Sequence, residues 1–172
     1  ASPDPREAQA RELVARFSQQ LRSTLEGAMQ AGGPLAAVSV CQEQAPSIAN
    51  SLATGSGWQL RRTALRVRNP ANAPDDWERL QLEDFLRRQA AGEDIGQLTA
   101  RHADDRGWRY LQAIPTGPLC TVCHGSAIDP ALAAHIRKLY PADAATGFAP
   151  GSLRGAFSLR LHPAGDDAST SP

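Results

Sequence analysis

The sequence predicts an α+β domain: an antiparallel sheet with flanking helices and a long N-terminal helix. Three observations carry this. Apolar residues recur at helical spacing through the first third of the chain. Segments that alternate like half-buried strands come only after that, and two of them meet at a tight turn. No internal repeat and no linker divides the 172 residues, which suffice for one core. The chain reads as a single domain over 1–163, followed by a polar, disordered tail over 164–172.

Asp4-Pro5-Arg6-Glu7 marks the first helix start: Asp4 as cap, Pro5 at the first helical position, Glu7 placed for a capping box. Leu13, Val14, Phe17, Leu21, Leu25, Ala28 and Met29 then form one stripe, and Gly32-Gly33-Pro34 ends it. A second helix is expected from Pro34 to about Ala53, with Leu35, Val38, Cys41, Ala45, Ile48 and Leu52 on its buried stripe. Pro46 removes a backbone donor, so a kink and a freed Gln42 carbonyl are expected there.

Trp58 to Arg68 alternates in part and reads as a strand. Asn69-Pro70-Ala71-Asn72-Ala73-Pro74 is a loop by its Pro and Asn density. Asp75 or Asp76 caps a third helix reaching about Ala91. Leu98–Asp104 and Trp108–Ile114 form a hairpin across Asp104-Asp105-Arg106-Gly107. Pro130–Leu139 is a short helix and Gly155–Leu161 a last strand.

Formal net charge is zero, which gives no electrostatic reason for nucleic-acid binding. No segment has the length and apolarity of a membrane span. The chain opens Ala-Ser-Pro-Asp-Pro with no initiator Met and no apolar leader. That is expected of an exported protein after signal-peptide removal, and a trimmed sequence would read the same.

Cys120-Thr121-Val122-Cys123-His124 is the sharpest motif. C-x-x-C-H is the pattern of c-type haem attachment: two thiols form thioethers with the haem vinyl groups, and the adjacent His binds iron. Half of a zinc site is the bland competitor, but no second ligand pair stands at zinc spacing. A thioredoxin-like pair gives no reason for the His. Covalent haem c is therefore the expected cofactor, with Cys120, Cys123 and His124 as its residues and His124 on the iron. Attachment of haem c outside the cytoplasm implies a periplasmic location. The motif comes late, after a hairpin, unlike the helical fold of common cytochromes c.

Cys41 is the third thiol and has no partner left. It reads as a buried structural Cys, as an intermolecular disulfide half, or as a second axial ligand. Met29, His102, His135 and His162 compete for the distal position, and an open distal site is the remaining arrangement.

Several segments together resemble the DUF3365 family, also called the Tll0287-like haem domain family. They are Ala37-Val38-Ser39-Val40-Cys41-Gln42, the run from Arg62 through Arg68-Asn69-Pro70-Ala71-Asn72 to Glu78, Cys120 to Gly125, and Gly155-Ala156-Phe157-Ser158. The resemblance covers about Arg6 to Leu161. It implies a PAS-like fold, a c-type haem, and Cys41 as axial ligand opposite His124. It also implies sensing, since family members occur alone or ahead of signalling domains.

Arg68, Asn69 and Asn72 are candidates for the haem propionates, because a guanidinium matches a carboxylate with two donors. Against this stands a solvated Arg strand followed by an Asn-Pro turn. Trp77 reads as core. The function expected is redox or gas sensing, or low-potential electron transfer. Its alternative is a haem enzyme, peroxidase-like or nitrite/NO-handling, which needs an open iron position and acid-base groups that no obvious arrangement supplies. An electron-transfer or sensor protein is favoured over an enzyme. Candidate partners are a redox protein, a diatomic gas (NO, CO), and a second copy docked through the first helix.

Overall fold

The computed structural model describes residues 4–163, so the expected tail over 164–172 lies outside the described residues. Helix α1 (Pro5–Ser39) opens as its sequence requires: the Arg6 amide donates to the Asp4 carboxylate at 2.9 Å, with Pro5 next to the cap. Glu7 does not complete a capping box. It accepts from Arg11 at 2.8 Å and from Arg101 at 2.7 Å, tying the helix to the sheet.

The expected stop at Gly32-Gly33-Pro34 is present as a break that divides α1 into two helical segments. Gly33 takes φ 69° and ψ −165°, and helical geometry resumes at Pro34. A positive φ costs glycine nothing and a Cβ-bearing residue much more. Five residues of π-helix, Val40–Gln44, follow, and then helix α2 (Ala45–Ala53). The Ala45 amide reaches back five residues to the Val40 carbonyl. The widened turn precedes Pro46, which has no amide to give the usual partner. The expected kink is thus a π-turn, and Cys41 sits in it.

Strand β1 (Trp58–Thr63) is shorter than the expected 58–68. Beyond Thr63 the chain leaves the sheet, because Val67 and the Arg66 and Arg68 side chains bond to the 123–146 region instead. Helix α3 (Asp76–Ala90) has a complete capping box between Asp75 and Glu78. Strands β2 (Thr99–Asp104) and β3 (Gly107–Pro115) form the expected hairpin, whose Asp104 carboxylate accepts from the Arg106 amide at 2.9 Å. Helices α4 (Thr121–His124) and α5 (Pro130–Leu139) precede strand β4 (Leu153–Leu161).

The sheet order is β1-β4-β3-β2, antiparallel throughout. Side chains alternate between its faces. One face carries Trp58, Leu60, Trp108, Tyr110 and Leu159 against Ala10, Leu13, Val14 and Phe17 of α1 and Ala45 and Ala49 of α2. The other carries Leu111, Ala113, Leu153 and Ala156 against Leu82 and Phe85 of α3. Each large side chain buried here contributes roughly 1.5–3 kcal/mol. A third, smaller cluster joins Val38 at the end of α1 to Leu132, Ile136 and Tyr140, with Val122 and Cys123 packed on it. This last cluster places the cysteine motif beside the Cys41 segment. Among the described residues no helix is long and apolar enough to cross a membrane.

Candidate functional site

The motif forms a single helical turn. Cys120 is the cap of α4, and the His124 amide donates to its carbonyl at 2.9 Å. Residues three apart on a helix share a face, so Cys120 and Cys123 lie on one side of that turn. Both thiols are half-buried and neither is paired in a disulfide.

A strap of backbone fixes His124. Its Nδ1–H donates to the Ala145 carbonyl at 2.8 Å, since a carbonyl can only accept. The Phe148 amide donates to the His124 carbonyl and the Gly147 amide to the Gly125 carbonyl, both at 2.9 Å. The Phe148 ring stands edge-on to the imidazole, with centroids 6.4 Å apart. Gly125 permits the close approach, because a Cβ there would lie 2.4 Å from the Thr121 carbonyl oxygen. With Nδ1 protonated, Nε2 carries the lone pair, as an imidazole ligand requires. Burial, then the charges of Arg154 and Arg68, pushes the His124 pKa down to about 3. The ring is neutral at any ordinary pH.

Arg68 clamps the motif. It donates to the Cys123 carbonyl at 2.6 Å and to the Ala145 carbonyl at 3.2 Å, and it pairs with Asp143 at 3.2 Å. Asp143 in turn accepts from the Ala145 amide at 2.8 Å. Asn69 caps the following 3-10 turn by accepting from the Ala71 amide, and the Asn72 carbonyl accepts from Thr63. Neither Asn bonds to Cys120–His124 among the described residues. Trp77 packs on the α3-side core under the Arg109 guanidinium, as core was expected to do.

Cys41 is half-buried rather than fully enclosed on its stripe. It lies close enough to Cys123 and Tyr140 for its charge to raise both their pKa values. For Cys123 and for Tyr140 the larger cause is burial. Of the competing distal candidates, His102 is exposed on the edge strand β2 beside Asp104. His162 follows the far end of β4, eight residues from Arg154 and so roughly 25 Å away at about 3.3 Å per residue. Met29 and His135 are half-buried.

Sequence reasoning missed Ala145, Asp143, Phe148, Arg62 and Arg154. A backbone carbonyl leaves no signal in a sequence, and in an Arg-rich chain nothing local sets Arg62 or Arg154 apart from the other Arg residues.

A family profile described as Tll0287-like matches residues 4–161. The comparison with curated proteins returned no match. Among solved structures, the crystal structure of the cyanobacterial haem protein Tll0287 is similar, with a TM-score of 0.67 and 25% identity. The match covers 93% of this chain and 97% of that one. With a profile matched over nearly its whole length and the same long helix and four-stranded sheet, this chain belongs to the Tll0287-like family.

Proposed function

We propose that this chain is a c-type haem protein of the periplasm, serving redox or gas sensing or low-potential electron transfer. Cys120 and Cys123 would hold the haem through thioethers, with His124 Nε2 and Cys41 Sγ on its iron. The observation that carries the reading is the 2.8 Å bond from His124 Nδ1 to Ala145, which leaves a neutral imidazole with Nε2 as acceptor beside two thiols on one turn. A protein-held zinc ion fits less well: among the described residues no three His, Cys, Asp or Glu side chains converge.

The bound group supplies one-electron chemistry between ferric and ferrous iron. The chain's residues set its direction. A Cys41 thiolate brings a negative charge that favours the ferric state, and axial identity moves haem potentials over roughly 0.8 V. Arg68, Asp143 and Ala145 hold the His124 ring in one orientation and tautomer. Cys41 sits in a π-turn, where the helical ladder is already out of register, so that segment is suited to move if the sulfur is protonated and released.

The test is optical and EPR spectroscopy of the haem-loaded protein, ferric and ferrous, beside Cys41→Ser. A low-spin ferric signal of thiolate type that disappears in the variant supports His/Cys ligation. Unchanged spectra sink it. CO uptake by the ferrous protein would favour gas sensing, and a ferrous protein that stays six-coordinate would favour electron transfer.

A further inference from the structure

Four guanidinium groups lie around the motif: Arg66 is exposed to solvent, and of the three half-buried ones, Arg62, Arg68 and Arg154, only one has a counter-charge. Arg68 pairs with Asp143. Neither Arg62 nor Arg154 has a carboxylate within ion-pair distance among the described residues. Both lie close enough to His124 to lower its pKa, and Arg154 also feels the charge of Cys120.

Backbone irregularity delivers Arg154 to this place. In the β3–β4 pairing Ile114 faces Gly155 and Pro115 faces Leu153, so Arg154 is the extra residue of a bulge. Bulges re-aim a side chain that regular alternation would send elsewhere. Here Arg154 lies 4.9 Å from the Phe148 ring, which abuts His124 and also carries Arg66 at 4.0 Å, and among the described residues the one side-chain hydrogen bond of Arg154 is a long 3.4 Å contact with the Arg66 carbonyl. Arg62 faces Phe157 across β1 and β4, which puts it on the sheet face that packs against α1. Burial, then Arg62 and Arg68, lowers the Arg154 pKa to about 10, so it stays charged near neutrality. Both side chains are half-buried, so each cation is partly desolvated with no anion beside it, and a carboxylate partner would relieve that cost.

A haem brings two carboxylates on one edge of the ring. We infer that Arg62 and Arg154 are the propionate-holding residues of this site, and that Arg68, whose Nη2 is held by Asp143 and two carbonyls while its buried Nε has no partner among the described residues, is the clamp of the motif. This rests on the haem reading above. The two half-buried unpaired cations match the two carboxylates, while Arg66 is exposed and bonds to the Thr146 carbonyl, and Arg is the side chain best shaped to meet a carboxylate.

The test compares wild-type holoprotein with Arg154→Gln, Arg62→Gln and the two Lys counterparts by spectroelectrochemical titration. Losing a cation beside the haem edge should raise the ferric-to-ferrous ratio at the wild-type midpoint about tenfold, with Lys restoring most of the loss. A midpoint unchanged in both Gln variants overturns the inference. So does a holoprotein whose urea stability both Gln substitutions lower while the Lys variants fail to restore the midpoint, which is what a purely structural role predicts. If Arg154→Gln fails to fold, Arg62→Gln alone decides. The haem reading fails separately, if wild-type protein keeps no haem after denaturation.

Discussion

Arg61 and Arg62 are neighbours in one strand, yet they sit on opposite faces of the sheet in opposite electrostatic circumstances. Arg61 meets Glu78, whose side chain is almost wholly buried. That carboxylate also accepts from Ser158 at 2.6 Å and from the Asp75 amide at 2.8 Å, and it lies 3.4 Å from Arg109. Every oxygen of Glu78 is satisfied. Arg62 has no carboxylate within reach among the described residues, and Arg154 shares its situation. The α3 side is therefore a charge-paired, nearly closed network that holds structure, in which the buried Arg109 Nε is left without a partner among the described residues. The motif side carries unbalanced charge, and its balance is proposed to come from a bound group. A closed network and an open one respond differently to mutation, and that difference can be measured.

The largest expected effect is on the closed side. Glu78→Ala removes the acid of the capping box and leaves Arg61 and Arg109 without their shared partner. Removing one partner of a buried pair costs about 3–5 kcal/mol. Arg61 is partly solvated, so the lower end is expected. Urea unfolding of the haem-loaded protein checks this, and the haem spectrum should not change. A spectral change would mean that the two faces are coupled after all.

Tyr110 offers a neutral comparison on the α1 face. It is buried, its hydroxyl donates to Gln112 at 3.0 Å, and burial pushes its pKa up to about 12. The folded value lies above the unfolded one near 10. The neutral phenol therefore contributes stability in full below pH 10, and this is lost as pH rises towards 12. The loss is at most about 2.5 kcal/mol, and smaller to the extent that the hydroxyl meets solvent. Unfolding free energy followed from pH 9 to 12 should fall, and Tyr110→Phe should flatten that fall. An equal fall in both proteins would move the cause elsewhere.

The motif side is held by backbone proximity more than by charge. Gly125→Ala sets a Cβ against the Thr121 carbonyl oxygen and forces the turn to shift. A cost of about 2 kcal/mol is expected from such overpacking. The informative readout is the haem spectrum, which should broaden as His124 loses its hold on Ala145. Here spectrum and stability should change together, opposite to Glu78→Ala.

The sequence made the covalent part of the site legible, because C-x-x-C-H packs its chemistry into five adjacent residues. It made the helix starts legible too: Asp4 and Asp75 cap as local rules require, since a cap is decided within four residues. Three features were not legible, for one physical reason. The early end of β1, the Arg154 bulge and the Ala145 carbonyl on His124 all depend on residues far apart in sequence. Arg68 shows the limit best. Its type suited a propionate, but no sequence rule reveals that Asp143 stands beside it.

Asp75 gives the smallest effect and the finest cut. It caps α3 by accepting from the Glu78 amide at 2.9 Å, and it pairs with Arg109 at 2.7 Å. It also lines a cleft of about 480 Å³ with Arg61, Arg109 and Arg160. Desolvation opposes its charge, but the Glu78 amide and Arg109 together hold its pKa below the usual carboxylate value. Asp75→Asn keeps a capping oxygen and loses the ion pair, while Asp75→Ala loses both. Partly exposed pairs are worth about 0–1 kcal/mol and caps about 1 kcal/mol. Asn should therefore be nearly silent, and Ala should cost about 1 kcal/mol more. If Asn costs as much as Ala, the α3 network depends on its second acid as well as on Glu78. The closed face would then be held by a balance of charges rather than by one satisfied carboxylate.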